Sequence, residues 1–127
     1  MESNGAILVC DDEAGMLRYL KKMLEASGLA VETYGDGASL LRRIEAGVPG
    51  DARLLLQDVM LPDVDGMHVL QRVRELRPAL PVVMMTAYAS RDVASAALGG
   101  GARELLSKPF TREQILAVIQ EHAGATG

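Results

Sequence analysis

Four short apolar runs each give way to a polar residue that can do chemistry. AILVC ends in Asp11-Asp12, LLLQ in Asp58, PVVMM in Thr86 and RELLS in Lys108. If the chain brings these ends together, three carboxylates, a hydroxyl and an ammonium share one crevice. Three carboxylates do not stay ionised side by side without help: at ~4 Å and an effective dielectric near 20, each like-charge pair costs about 4 kcal/mol. Either some carboxyl groups hold their protons, or a cation settles among them. Carboxylate oxygens with no His or Cys beside them favour Mg²⁺ or Mn²⁺ over Zn²⁺. Lys108 and Thr86 then add a positive charge and a hydroxyl donor for the same anion. A carboxylate nucleophile in such company suits acyl-phosphate formation, where positioning and charge neutralisation carry the reaction.

The elements that must position these residues alternate along the chain. Ala6–Cys10 reads as a strand, and Met16, Leu17, Leu20, Met23 and Leu24 recur at helical spacing before Gly28, a helix stop. Ala30–Tyr34 reads as strand 2. Asp36 is a candidate N-cap for a helix carrying Leu40, Leu41 and Ile44. Leu54–Gln57 is strand 3, and Val69, Leu70, Val73 and Leu76 mark a helix ended by Pro78. Pro81–Met85 is strand 4, Arg91–Leu98 a weak helix, Arg103–Ser107 strand 5, and Ile115, Leu116, Val118 and Ile119 mark the last helix.

Five strands alternating with five helices predict an α/β fold with an open parallel sheet. Strands 1, 3 and 4 are almost wholly apolar, as central strands covered on both faces are. Strands 2 (AVETY) and 5 (RELLS) mix in polar residues and suit the edges. The expected architecture is therefore flavodoxin-like (βα)5, with strand order 2-1-3-4-5 and helices on both faces. In that order ligands bind beyond the carboxyl ends of the strands, at the switch between strands 1 and 3. The polar residues above fall at those ends.

The chain of 127 residues is the size of one domain, and 49% apolar composition marks it as globular. Residues 1–123 are expected to form that domain and 124–127 a tail or the start of a linker. Net charge −4 and no basic or aromatic-basic stripe argue against direct nucleic-acid binding. A single cysteine, no signal-peptide pattern and no long apolar stretch predict a cytoplasmic protein without membrane contact. Cys10 and most methionines read as core, and His68 and His122 as helix-surface residues without a role.

The stretches VCDDE (Val9–Glu13), LQDVMLPDVDG (Leu56–Gly66), MTAY (Met85–Tyr88) and SKPF (Ser107–Phe110) resemble, in order and spacing, the signature stretches of response-regulator receiver domains of two-component systems. The similarity spans about Ala6 to Glu121. It implies Asp58 as phosphoacceptor, Asp12 as a direct Mg²⁺ (or Mn²⁺) ligand and Asp11 as its partner, acting partly through water. The backbone carbonyl of Met60 would be a further metal ligand, Thr86 the switch hydroxyl and Lys108 the phosphate-pairing lysine. It also implies a cis peptide at Lys108-Pro109 and phosphoryl transfer from a sensor histidine kinase. The phosphorylated state would alter the helix 4/strand 5/helix 5 face, read by a downstream effector or a fused output domain. A phosphorylation-dependent homodimer is compatible with it. Beyond its own phosphorylation and slow dephosphorylation, such a domain is not an enzyme.

Two features depart from the family. Leu105 stands where receivers usually carry an aromatic residue, so Thr–aromatic coupling is not expected. Gly99, Gly100 and Gly101 follow an alanine-rich helix, and each helical glycine costs about 1 kcal/mol against alanine. The end of helix 4 is expected to fray, and activation to order or shift that helix as a segment. Met60 and Tyr88, each two residues beyond a site residue, are bulky enough to shield a phosphoryl group from water; the alternative is that both point into solvent. A haloacid-dehalogenase-type phosphatase is the competing enzyme class, but it needs Asp-x-Asp after strand 1. A flavodoxin-like FMN carrier needs a Ser/Thr/Gly loop there, where CDDE would repel the flavin phosphate.

Overall fold

The computed structural model describes residues 5–47 and 52–123; the expected tail at 124–127 lies outside these. The elements run β1 (Ala6–Cys10), α1 (Ala14–Ala26), β2 (Val31–Tyr34), α2 (Gly37–Ala46), β3 (Ala52–Asp58), α3 (Gly66–Leu76), β4 (Val82–Thr86), α4 (Arg91–Gly99), β5 (Glu104–Ser107) and α5 (Arg112–His122). The strands pair in parallel in the order β2-β1-β3-β4-β5, the order expected from strand polarity.

Strand alternation divides the core in two. Ile7, Val9, Leu54, Leu56, Val83 and Met85 face one side and pack against Leu20 and Leu24 of α1 and Ile115 and Ile119 of α5. Leu8, Cys10, Leu55, Val82 and Met84 face the other, against Leu40 and Ile44 of α2, Val69, Leu70 and Val73 of α3, and Ala97 of α4. Both faces are covered, which is why β1, β3 and β4 read as unbroken apolar runs. Truncating any of these fully buried leucines to alanine is expected to cost about 2–5 kcal/mol.

Hydrogen-bonded pairing extends past the apolar stretches. Asp58 pairs with Met85 and Thr86 with Ser107, so both residues belong to their strands rather than following them. Four helices start on a side-chain cap. Asp36 accepts from the Ser39 N–H, Asp65 from Met67, Ser90 from Val93, and Thr111 forms a capping box with Gln114. Such caps contribute about 1 kcal/mol each. Helix α1 has no side-chain cap, and the acids that precede it go to the site described below.

Both helix ends marked by glycine close in the same way. Leu29 N–H donates to Leu24 O and Gly28 N–H to Glu25 O; Ala102 N–H donates to Ala97 O and Gly101 N–H to Leu98 O. These are Schellman stops, with the glycine at positive φ (89° at Gly28, 102° at Gly101). The glycine run therefore ends α4 in a hydrogen-bonded stop instead of a frayed turn. Even so, α4 buries only Ala97 among its residues and remains lightly packed.

Candidate functional site

The carboxyl ends of β1, β3, β4 and β5 converge, and the expected residues meet there. Lys108 Nζ lies 2.6 Å from Asp11 Oδ2 and 2.8 Å from Asp58 Oδ2, bridging the two acids. Asp58 Oδ1 accepts the Met60 N–H at 3.0 Å, and Asp11 Oδ1 accepts the Glu13 N–H at 2.9 Å. Asp11, Asp58 and Thr86 are buried, whereas Asp12 is exposed. A cavity of about 240 Å³ opens over the group, lined among others by Asp12, Asp58, Met60, Thr86, Tyr88 and Lys108. Thr86 Oγ1 accepts the Tyr88 N–H at 3.0 Å, leaving its own O–H free to donate toward that cavity. The Lys108-Pro109 peptide is cis, as the resemblance implied.

One ammonium faces three carboxylates. Burial pushes the Asp58 carboxyl above its ordinary range and the Asp11 charge adds to this, against hydrogen bonds from Lys108 and the Met60 N–H. Burial opposes the Lys108 charge, yet Asp11 and Asp58 outweigh it and hold the ammonium's pKa above its usual value. The lysine thus keeps its proton while the acids remain under-compensated. Asp11, Asp12 and Asp58 each offer a carboxylate oxygen within 4.8 Å of the others. This all-oxygen donor set with surplus negative charge fits a divalent cation.

The β3–α3 turn does more than its sequence announced. Asp65 caps α3, but Asp63 reaches across to α2 and accepts the Gly37 and Ala38 N–H groups, both at 3.0 Å. Gly66 is required by close approach: a Cβ there would stand 2.2 Å from the Asp58 carbonyl oxygen. Gln57, read only as the end of an apolar strand, is fully buried. Its Nε2 donates to the Asp58 carbonyl at 3.0 Å, while its Oε1 has no partner among the described residues. An orphaned buried acceptor costs about 1–3 kcal/mol. The signal for it was present in the polar residue that breaks LLLQ.

The remaining expectations divide. Met60 and Tyr88 line the cavity but are 59% and 72% exposed, so they stand at its rim. Leu105 lies along a groove of about 480 Å³ between α4 and β5, with Leu98 and Ser107. His68 is on the surface, as expected. His122 is not: its ring is mostly buried and Nε2 lies 2.8 Å from Glu104 Oε1, tying the end of α5 to β5. Helical spacing placed His122 on the outer face, whereas its contact with Glu104 ties it to β5. Among the described residues no helix is long and apolar enough to cross a membrane.

A family model described as the response regulator receiver domain matches residues 7–120. The DNA-binding transcriptional regulator NtrC of Escherichia coli (strain K12) is 32% identical over 116 residues, which are 91% of this chain and 24% of that protein. The chain thus spans about a quarter of that relative's length. A CheY-like response regulator receiver domain protein from Methanospirillum hungatei JF-1 superposes with a TM-score of 0.89 at 32% identity, covering 95% of this chain and 94% of that one. A response regulator from Burkholderia pseudomallei, whose crystal holds a phosphorylated aspartic acid, a calcium ion and citrate, superposes with a TM-score of 0.83 at 28% identity, covering 94% and 68%.

Proposed function

The chain belongs to the response regulator receiver domain family, and from that membership we propose that Asp58 is its phosphoacceptor. The observation that carries the proposal is the Lys108 ammonium bridging Asp58 and Asp11 at 2.8 and 2.6 Å beneath an open cavity. The Asp58 carboxylate attacks phosphorus and forms a P–O bond. The bond from phosphorus to the donor breaks, and the leaving group, an imidazole nitrogen when the donor is a phosphohistidine, keeps the electron pair and takes up a proton. Lys108 pairs with a phosphoryl oxygen, and the free Thr86 O–H donates to another. Asp11, Asp12, Asp58 and the Met60 backbone carbonyl would hold Mg²⁺ or Mn²⁺, which supplies charge neutralisation for the phosphoryl group. The acyl phosphate is later hydrolysed, so the domain modifies itself and resets, with no turnover of a separate substrate.

The protein is cytoplasmic, and its donor is a sensor histidine kinase. Residues 1–123 are the receiver domain and 124–127 a tail or the start of a linker. The α4–β5–α5 face carries the signal to an effector or output domain, and the similarity to a DNA-binding transcriptional regulator supports the latter. Homodimerisation in the phosphorylated state would use the same face. Leu105 offers no ring to move inward with Thr86, so the signal passes through α4 as a segment.

Intact mass after incubation with acetyl phosphate and Mg²⁺ tests the reading. The wild type gains one phosphoryl group and Asp58→Asn gains none; a phosphorylated Asp58→Asn, or an unmodified wild type, overturns it.

A further inference from the structure

We infer that Gln57 is a positioning residue for the phosphoacceptor, holding the Asp58–Val59 peptide so that the Asp58 carboxylate stays aimed at Lys108. The inference rests on Asp58 being the phosphoacceptor and goes beyond it to a residue on the opposite, apolar face of β3.

Asp58 is the last residue of its strand and is paired on one side only. The β1–β3 register ends at Cys10 and Gln57, so on that side Asp58 has no strand partner, while on the other it pairs with Met85. A side chain provides what β1 does not. Gln57 Nε2 donates to the Asp58 carbonyl at 3.0 Å, and the Val59 N–H of the same peptide donates to Met85 O at 2.9 Å. Both polar ends of one peptide plane are therefore held. The next N–H, from Met60, donates to Asp58 Oδ1, and Lys108 reaches Oδ2. Rotation of that plane would shift Met60 N and with it the carboxylate. Gly66, lacking a Cβ, lets the start of α3 close over the same carbonyl.

The orientation of the Gln57 amide follows from this contact. Turned over, it would set Oε1 against the Asp58 carbonyl oxygen, two acceptors facing each other. Held as it is, it leaves Oε1 without a partner among the described residues. Methionine or leucine would fill the same apolar space with no orphaned oxygen. A buried group that breaks a local rule in this way calls for an explanation, and the clamp on Asp58 supplies one.

The test compares Gln57→Met and Gln57→Leu with the wild type in Mg²⁺. It measures the maximal rate of phosphorylation by acetyl phosphate, the acetyl phosphate concentration at half-saturation, and Tm. The expected result is a maximal rate lowered at least about fivefold, since small misplacements of a reacting group are costly, with half-saturation unchanged and Tm equal to or above wild type. A smaller fall, or a change confined to half-saturation, overturns the inference. Where one variant melts lower, the other decides; where both do, the amide is structural and the inference is wrong. Phosphorylation persisting in Asp58→Asn removes the phosphoacceptor reading itself, whereas wild-type rates in the Gln57 variants remove only the clamp.

Discussion

Lys108 Nζ stands 2.6 Å from Asp11 Oδ2, although 97 positions separate the two residues in the chain. The Asp11 side chain is fully buried and the lysine nearly so, so the pair is held away from bulk solvent. The same ammonium reaches Asp58, and one positive charge is thereby shared between two buried carboxylates.

Replacing that ammonium separates two of its effects. Lys108→Met leaves the acids with no internal counter-charge, so Mg²⁺ binds severalfold more tightly. On the proposed role of Lys108, the phosphorylation rate needs the ammonium on the incoming phosphoryl oxygens and is expected to fall by about 10²-fold or more. Calorimetric titration with Mg²⁺ and a phosphorylation time course read the two, and changes of the same sign would contradict the assignment.

The lifetime of the phosphorylated state is expected to depend on the cavity rim. Met60 and Tyr88 are largely exposed yet border the opening above Asp58. Met60→Asn combined with Tyr88→Glu admits and orients water, and dephosphorylation should accelerate severalfold. A double variant that hydrolyses no faster would show that both side chains stay in solvent throughout.

Helix α4 is the element expected to respond to phosphorylation. It buries Ala97 alone and is held at its end by the Schellman bonds to Ala97 and Leu98. Few buried apolar contacts give a low local opening free energy. An acyl-phosphate mimic should change hydrogen exchange across Ala94–Ala102, while β1 and β3 keep their protection. Identical exchange in both states would rule out a switch through this helix.

Acid should destabilise the fold through three carboxylates far from any catalytic role. The hydrogen bond from Arg43 holds Glu32 below its ordinary range against partial burial, the Ser39 hydrogen bonds hold Asp36 down, and the Gly37 and Ala38 N–H groups do the same for Asp63. Depressed in the folded state, these groups contribute stability that is complete above their unfolded values near about 4 and is lost as pH falls through the folded ones. Urea midpoints should drop through that window. Asp63→Asn should decline less steeply than wild type, because one of the three linked protonations is gone; parallel profiles would refute this.

The fold, the strand order and the five polar residues at four strand ends were legible in the amino-acid order alone. Each of these is local: an apolar run marks a covered strand, a capping Asp36 or a stopping Gly28 marks a helix boundary, and a polar residue ending a run marks the sheet edge. Residue spacing also pointed to Asp11, Asp12, Asp58, Thr86 and Lys108 as neighbours, because a parallel sheet brings its carboxyl ends together. Which side chain meets which across long separations was settled by packing alone. Lys108 between two acids, Asp63 at the start of α2, His122 against Glu104 and Gln57 on the Asp58 carbonyl all depend on register and packing. Those contacts are set by distances of a few ångströms between elements, and periodicity along one element carries no information about them.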